Sequence, residues 1–241
     1  MSCFQWLMAV FLITTTCLVY AQDTNEQAAT SAQPELLTKE INDRIEAAHK
    51  SRKVWSEIQK VGHERAVFCA VCHGEDGNSS RDNVPKLAAQ NPLYLQDQFA
   101  RFESGHRKSY IMQDLAKGLT DEDKVDLMIF YATSSRSPGQ SEDTELITRG
   151  KALFVMCQGC HGPDGMGMPG YANIAAQHAA FVEKALTDFR DGGGRRDNPI
   201  MKGMTQTLTD DDIKALAAYI ESLPPKTFEF TEQLVQEPAK Q

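Results

Sequence analysis

The pentapeptide Cys69-Ala70-Val71-Cys72-His73 returns 88 residues later as Cys157-Gln158-Gly159-Cys160-His161. Both copies continue as His-Gly-x-Asp-Gly: His73-Gly74-Glu75-Asp76-Gly77 and His161-Gly162-Pro163-Asp164-Gly165. The correspondence runs on. Leu87-Ala88-Ala89-Gln90 matches Ile174-Ala175-Ala176-Gln177, and Ile111-Met112 matches Ile200-Met201. Leu119-Thr120-Asp121-Glu122-Asp123 matches Leu208-Thr209-Asp210-Asp211-Asp212, and Tyr131 matches Tyr219. An offset held between 87 and 89 residues over this distance marks a duplicated domain. Each copy is about 80 residues long, small for a self-sufficient hydrophobic core. Something other than side chains must fill each interior.

The repeated motif identifies the filler. A Cys-x-x-Cys pair alone suits a thioredoxin-like redox site or half a zinc site. The first needs a strand-helix context that this sequence lacks. A zinc site shared by the two pairs leaves both adjacent histidines unexplained. Cys-x-x-Cys-His as a unit is the attachment motif of c-type haem, with two thioether bonds and the histidine as proximal iron ligand. The expectation is two covalently bound haem c groups, on Cys69, Cys72 and His73 and on Cys157, Cys160 and His161. A methionine thioether as sixth ligand favours ferrous iron and closes the site to small molecules. Met112 lies 39 residues after His73 and Met201 lies 40 after His161; each stands eight residues before Thr120 or Thr209. Met128 and Met156 read as core residues. Met166 and Met168 stand too close to His161, and Met204 has Leu115 as its counterpart in the first copy. Among the other histidines, His49 and His63 read as exposed helix residues. His106 is a solvated loop residue and the weaker rival of Met112, and His178 is a helix-start or interdomain residue.

The chain reads as all-α. Helices are predicted over Lys53–Val71, Glu145–Gln158, Asp121–Tyr131 and Asp210–Ser222, with further helical spacing after Pro92 and after His178. Thr120 with Asp123, and Thr209 with Asp212, have capping-box spacing. The organisation follows: an export signal at 1–21, a polar leader and charged helix at 22–52, haem domain 1 at 53–135, a linker at 136–144, haem domain 2 at 145–225 and a tail at 226–241. The signal rests on the apolar run Phe4–Tyr20 and the small-residue pattern Val19-Tyr20-Ala21, with cleavage after Ala21. Seventeen helical residues span roughly 25 Å, short of the roughly 30 Å hydrocarbon core, which disfavours a retained anchor. Export removes Cys3 and Cys17 from six cysteines and leaves the four of the motifs, so no disulfide is expected. The net charge of -8 excludes a nucleic-acid binder. Arg107-Lys108 and Arg195-Arg196 precede the two methionines; they read equally as solvated loop charge or as cations for haem propionates or a docking partner.

Over roughly residues 60–223 the chain resembles the cytochrome c4 family, dihaem class I cytochromes c. Besides the repeats above, the resemblance rests on Pro85-Lys86-Leu87-Ala88-Ala89-Gln90, Gln177-His178-Ala179-Ala180-Phe181 and Asp188-Phe189-Arg190-Asp191-Gly192. It implies two tandem all-α cytochrome domains with haems near the domain interface, His73 and Met112 on one iron and His161 and Met201 on the other. It implies a periplasmic electron carrier rather than an enzyme. Its partners would be redox proteins: a quinol-cytochrome c reductase-like donor and a terminal oxidase, or a dehydrogenase whose dihaem subunit it forms. Peripheral membrane association is compatible with this. A dihaem peroxidase would need an open iron site, which paired Met ligands deny. Family packing sets a Gly and an aromatic against a Leu/Tyr pair on the last helix. The second copy keeps Gly150, Phe154, Leu216 and Tyr219; the first has Gly62 and Tyr131 but Ala66 and Met128, so looser packing is expected there. A proline carbonyl orients the proximal imidazole in the family. Pro85 fits, whereas Ala172 stands in the second copy and leaves that imidazole's orientation open.

Overall fold

The computed structural model describes residues 38–192 and 195–228. The export segment, most of the polar leader and the end of the tail lie outside them. Among the described residues every regular element is helical. Both repeats lie in one compact unit that begins at Ile41.

Helix α1 (38–50) belongs to that body from Ile41 onward. It buries Ile41 and Ala48 fully and pairs Arg44 with the buried Asp126 at 2.8 Å. The first repeat then runs α2 (Arg52–Arg65), α3 (Val67–His73), α4 (Pro92–Glu103), α5 (Tyr110–Gly118) and α6 (Asp121–Ala132). The second runs α7 (Thr144–Leu153), a 3-10 turn at Phe154–Met156, α8 (Gln158–His161), α9 (Ala179–Asp191), α10 (Pro199–Thr205) and α11 (Asp210–Ser222). The long helices predicted to enter each motif are broken, at Ala66 and at Phe154–Met156. Each break redirects the chain so that the Cys-x-x-Cys-His segment forms a short helix of its own.

Both capping boxes are formed. Thr120 and Asp123 exchange side chain-to-backbone bonds at 3.2 and 3.1 Å, and Thr209 and Asp212 at 3.1 and 3.0 Å. These caps start α6 and α11, which pack on α2 and α7 respectively. Glycine makes each crossing close. A Cβ on Gly150 would lie 2.0 Å from the Ala215 carbonyl oxygen, and one on Gly62 would lie 2.2 Å from Phe130 Cβ.

The first repeat is not loosely packed. Phe154 meets Tyr219 in a tilted ring contact at 5.2 Å in the second, where Ala218 precedes the tyrosine. In the first, Ala66 replaces the phenylalanine and Phe130 precedes Tyr131, their rings 5.0 Å apart. Ala66, Met128, Phe130 and Tyr131 are all buried. The aromatic has moved from one helix to the facing one. His49 also departs from its expected exposure: its ring stacks on Phe228 at 4.4 Å, so the beginning of the tail lies against α1.

The two repeats meet along a seam with local two-fold character. Gln177 accepts from Lys86 N–H at 2.8 Å and donates to Lys86 C=O at 3.0 Å. Gln90 makes the mirror exchange with Asn173, the counterpart of Lys86, at 2.7 and 2.9 Å. Farther along, Lys108 N–H donates to Arg195 C=O at 2.8 Å and Asp197 N–H to His106 C=O at 2.9 Å. Two buried cations sit at this seam. Arg136, the first linker residue, donates to the carbonyls of Ala88, Asn173 and Ala175. Lys86 Nζ donates to those of Ser137, Pro138 and Ala176. Burial pushes the Arg136 guanidinium down to about 9, and it lowers Lys86 too, helped by the neighbouring Arg136. His178 occupies the N-cap position of α9 without a side-chain cap bond, and its Nε2 lies 2.8 Å from the Ser79 carbonyl oxygen, so it is both a helix-start and an interdomain residue.

Candidate functional site

Each Cys-x-x-Cys-His helix ends at a glycine in a conformation that side chains disfavour, Gly74 (φ 82°) and Gly162 (φ 77°). The chain turns back there through Asp-Gly. The Gly77 carbonyl then accepts from Leu87 and Ala88 N–H at 2.7 and 3.1 Å, and the Gly165 carbonyl from Ile174 and Ala175 at 2.7 and 3.1 Å. This pins the loop after each histidine to the Leu/Ile-Ala-Ala-Gln turn.

Pinning the loop orients the imidazole. His73 Nδ1 lies 2.8 Å from the Pro85 carbonyl oxygen. His161 Nδ1 lies 3.0 Å from the Ala172 carbonyl oxygen. The open question about the second imidazole is settled: the acceptor is a backbone atom, and alanine supplies it as proline does. A ring whose Nδ1–H donates to a carbonyl presents Nε2 as a lone pair, the form that ligates metal. Burial lowers the proton affinity of both imidazoles, against the pull of these carbonyls.

The four cysteines are unbridged and half-buried. Burial raises the Cys69 thiol, and raises Cys157 to about 11 with Cys160 beside it. Such thiols are poor thiolate nucleophiles, which weighs against a thioredoxin-like role. Among the described residues no three metal-binding side chains converge, so the two Cys pairs do not meet in one zinc site.

The methionines expected as distal ligands occupy matching places, on short helices that periodicity did not reveal. Met112 is the third residue of α5, and the Ser109 hydroxyl accepts its N–H at 3.5 Å. Met201 is the third residue of α10, and the Asn198 side chain accepts its N–H at 3.0 Å. Both side chains are half-buried. His106 is exposed with Nδ1 on the Ser104 hydroxyl.

The surroundings fit a large apolar group. Val67, Phe68 and Val71 stand exposed on the first motif helix, Phe68 at 79%, with Val155 and Met156 at the matching positions of the second. Tyr110 and Ile111 before Met112, and Ile200 before Met201, are exposed as well. Apolar surface left uncovered at both the histidine and the methionine segments is what a macrocycle between them would cover. The Tyr131 hydroxyl is buried beside the Cys69 thiol.

Two helical repeats, each presenting paired thiols, an oriented imidazole and a helix-borne methionine, define a two-domain c-type cytochrome of class I architecture. Comparison with known proteins narrows the class. The cytochrome c family model matches residues 147–224. Cytochrome c4 of Pseudomonas aeruginosa is 37% identical over 176 residues, 68% of this chain and 87% of that protein. The crystal structure of reduced cytochrome c4 from Pseudomonas stutzeri superposes with a TM-score of 0.64 at 34% identity, covering 68% of this chain and 98% of that one. A thiosulfate dehydrogenase electron acceptor of Stutzerimonas stutzeri is 31% identical over 175 residues, 67% of this chain and 81% of that protein. The chain belongs to the cytochrome c4 family: it is a dihaem electron-transfer cytochrome with covalently bound haem c, a carrier rather than an enzyme.

Proposed function

We propose that Cys69 and Cys72 hold one haem and Cys157 and Cys160 the other, with His73 and Met112 as axial ligands of the first iron and His161 and Met201 of the second. The repeated imidazole geometry carries this reading, because each Nε2 is left free by a carbonyl bond on Nδ1. Bound haem iron supplies a one-electron couple. His73 and His161 would present imidazole to it, and Met112 and Met201 thioether, which would leave no open position for exogenous ligands. The haem-binding units are 53–135 and 145–225, joined by the segment 136–144.

The carrier works in the periplasm after removal of 1–21, accepting electrons from a quinol-cytochrome c reductase-like donor and passing them toward a terminal oxidase. Among the described residues no helix is long and apolar enough to cross a membrane. The similarity to a thiosulfate dehydrogenase electron acceptor supports a second reading, in which a periplasmic dehydrogenase is the electron donor.

Met112→Leu and Met201→Leu test the ligands. Each variant of the holoprotein is expected to keep both haems and lose about half of the sulfur-to-iron charge-transfer absorption, one of two equivalent Met ligands being removed. Each should open one ferrous haem to carbon monoxide. An intact band in either variant would refute that methionine as ligand. Rapid reduction by a purified dehydrogenase but not by a quinol-cytochrome c reductase would favour the second reading.

A further inference from the structure

Each motif histidine bonds to a carbonyl whose peptide group is engaged at its other end as well. The Pro85 C=O and the Lys86 N–H belong to one planar amide. His73 Nδ1 lies 2.8 Å from its oxygen, and its N–H donates to Gln177 Oε1 at 2.8 Å. In the second repeat the amide joins Ala172 to Asn173. His161 Nδ1 lies 3.0 Å from its oxygen, and its N–H donates to Gln90 Oε1 at 2.7 Å. In both cases the glutamine comes from the other repeat. Two chains of imidazole, peptide and carboxamide therefore cross the seam in opposite directions.

The glutamines are held in place for this. Both are buried. Gln177 Nε2 donates to the Lys86 carbonyl at 3.0 Å and Gln90 Nε2 to that of Asn173 at 2.9 Å, so one carboxamide grips both main-chain groups of the residue it faces. Each Oε1 also accepts from the N–H of the next residue, Asn91 at 2.8 Å and His178 at 3.2 Å. Each glutamine directly follows an alanine in left-handed backbone, Ala89 or Ala176. Those alanines are anchored on the last helix of their own repeat, by N–H bonds to the Tyr131 carbonyl at 2.7 Å and the Ile220 carbonyl at 3.0 Å.

A peptide group transmits polarisation. An N–H that donates moves amide electron density onto the oxygen and makes it a stronger acceptor. A stronger bond at Nδ1–H makes the imidazole a more basic ligand through Nε2. A more basic ligand favours ferric over ferrous iron. We infer that Gln177 is a positioning residue for His73 and Gln90 for His161, so that each repeat strengthens the imidazole of the other and holds down the midpoint potential of the haem it serves. This rests on the axial ligands proposed above.

The test is spectroelectrochemical titration of the dihaem holoprotein as wild type, Gln177→Leu, Gln90→Leu and Gln177→Glu. Leucine removes acceptor and donor together, whereas glutamate keeps an acceptor oxygen for the Lys86 N–H. Midpoints are assigned by following the sulfur-to-iron band in a Met201→Leu background, where it reports the first iron, and in a Met112→Leu background, where it reports the second. Q177L should raise the first midpoint and Q90L the second, each leaving the other in place. Q177E should leave the first at or below its wild-type value. In the diamagnetic ferrous protein, the His73 Nδ1–H proton resonance should move upfield in Q177L and stay in place in Q90L. A shift confined to the haem of the altered repeat, a shift of both, no shift, or a rise in Q177E equal to that in Q177L would overturn the inference. Should one leucine variant fail to fold, the other tests the opposite chain. An undiminished band in either methionine background would sink the ligand reading, whereas a halved band with unmoved midpoints would sink only the crossed positioning.

Discussion

An imidazole has two nitrogens, and in both halves of this chain one of them is engaged by a backbone carbonyl. The sequence revealed the histidines through their motif and Pro85 through the resemblance. It did not reveal that Ala172 does the same work, because the acceptor belongs to the main chain and no side chain encodes it. Duplication singled out Met112 and Met201 from the chain's other methionines, and both fall third on matching short helices; neither composition nor helical period would have paired them. A second residue-scale feature was unreadable: Ala89 and Ala176 both adopt left-handed backbone, at φ 54° and 55°. That conformation costs a non-glycine residue roughly 1–2 kcal/mol. Ala89→Gly and Ala176→Gly are therefore expected to stabilise the holoprotein by up to about 1 kcal/mol each after the unfolded-state entropy cost. Calorimetry should show Tm rising by roughly 2–4 °C per kcal/mol gained. Ala152→Gly, on exposed helical backbone in α7, should lower stability by about 1 kcal/mol. A fall in Tm in all three would show that the left-handed positions store no strain.

Elements were read well where a cap marks them and poorly where a helix is short. α11 begins and ends where its capping threonine and apolar spacing place it, whereas α5 and α10 are too short for a period to show. The breaks at Ala66 and Phe154 depend on packing against α6 and α11, which local sequence does not contain. The caps carry a pH dependence. Bonds from Thr209, then the Arg149 ion pair, hold the Asp212 carboxyl down to about 2; bonds from Thr120 lower Asp123 in the same way. A carboxylate depressed on folding stabilises the fold above its unfolded pKa of about 4, and the gain disappears as pH falls toward the folded value. Thermal unfolding between about pH 4 and 2 should therefore steepen in wild type relative to Asp212→Asn. Equal slopes would refute the linkage. At the helix crossings, Gly150→Ala and Gly62→Ala are both expected to cost at least about 1–3 kcal/mol by overpacking. Gly150→Ala should cost more, since it meets the Ala215 carbonyl rather than the Phe130 side chain. Chemical denaturation of the two holoproteins ranks them.

For the whole molecule, duplication was plain in the sequence but the seam was not. Gln90 and Gln177 stood out only as the last letters of a repeat, and Arg136 only as part of a linker. Their partners are 83, 91 and 37 residues away, mostly backbone atoms that no pattern announces. Because Arg136 and Lys86 are buried among carbonyls of both halves and of the linker, the two haem domains should unfold together in a single calorimetric transition. Arg136→Met removes three of those bonds and should split the transition into two, one per domain; a single transition would refute the clamp. The crossed exchange of Gln90 with Asn173 and Gln177 with Lys86 has one more consequence. It has the symmetry of an isologous homodimer, in which one patch meets its own copy about an axis. Joining the copies in one chain replaces a concentration-dependent association with an intramolecular one, so dilution cannot part them. The joined copies are also free to diverge. Lys86 faces the linker where its twin is Asn173, and Ala66 stands where its twin is Phe154. The fused pair can therefore hold two unequal haems, which a dimer of identical chains cannot encode.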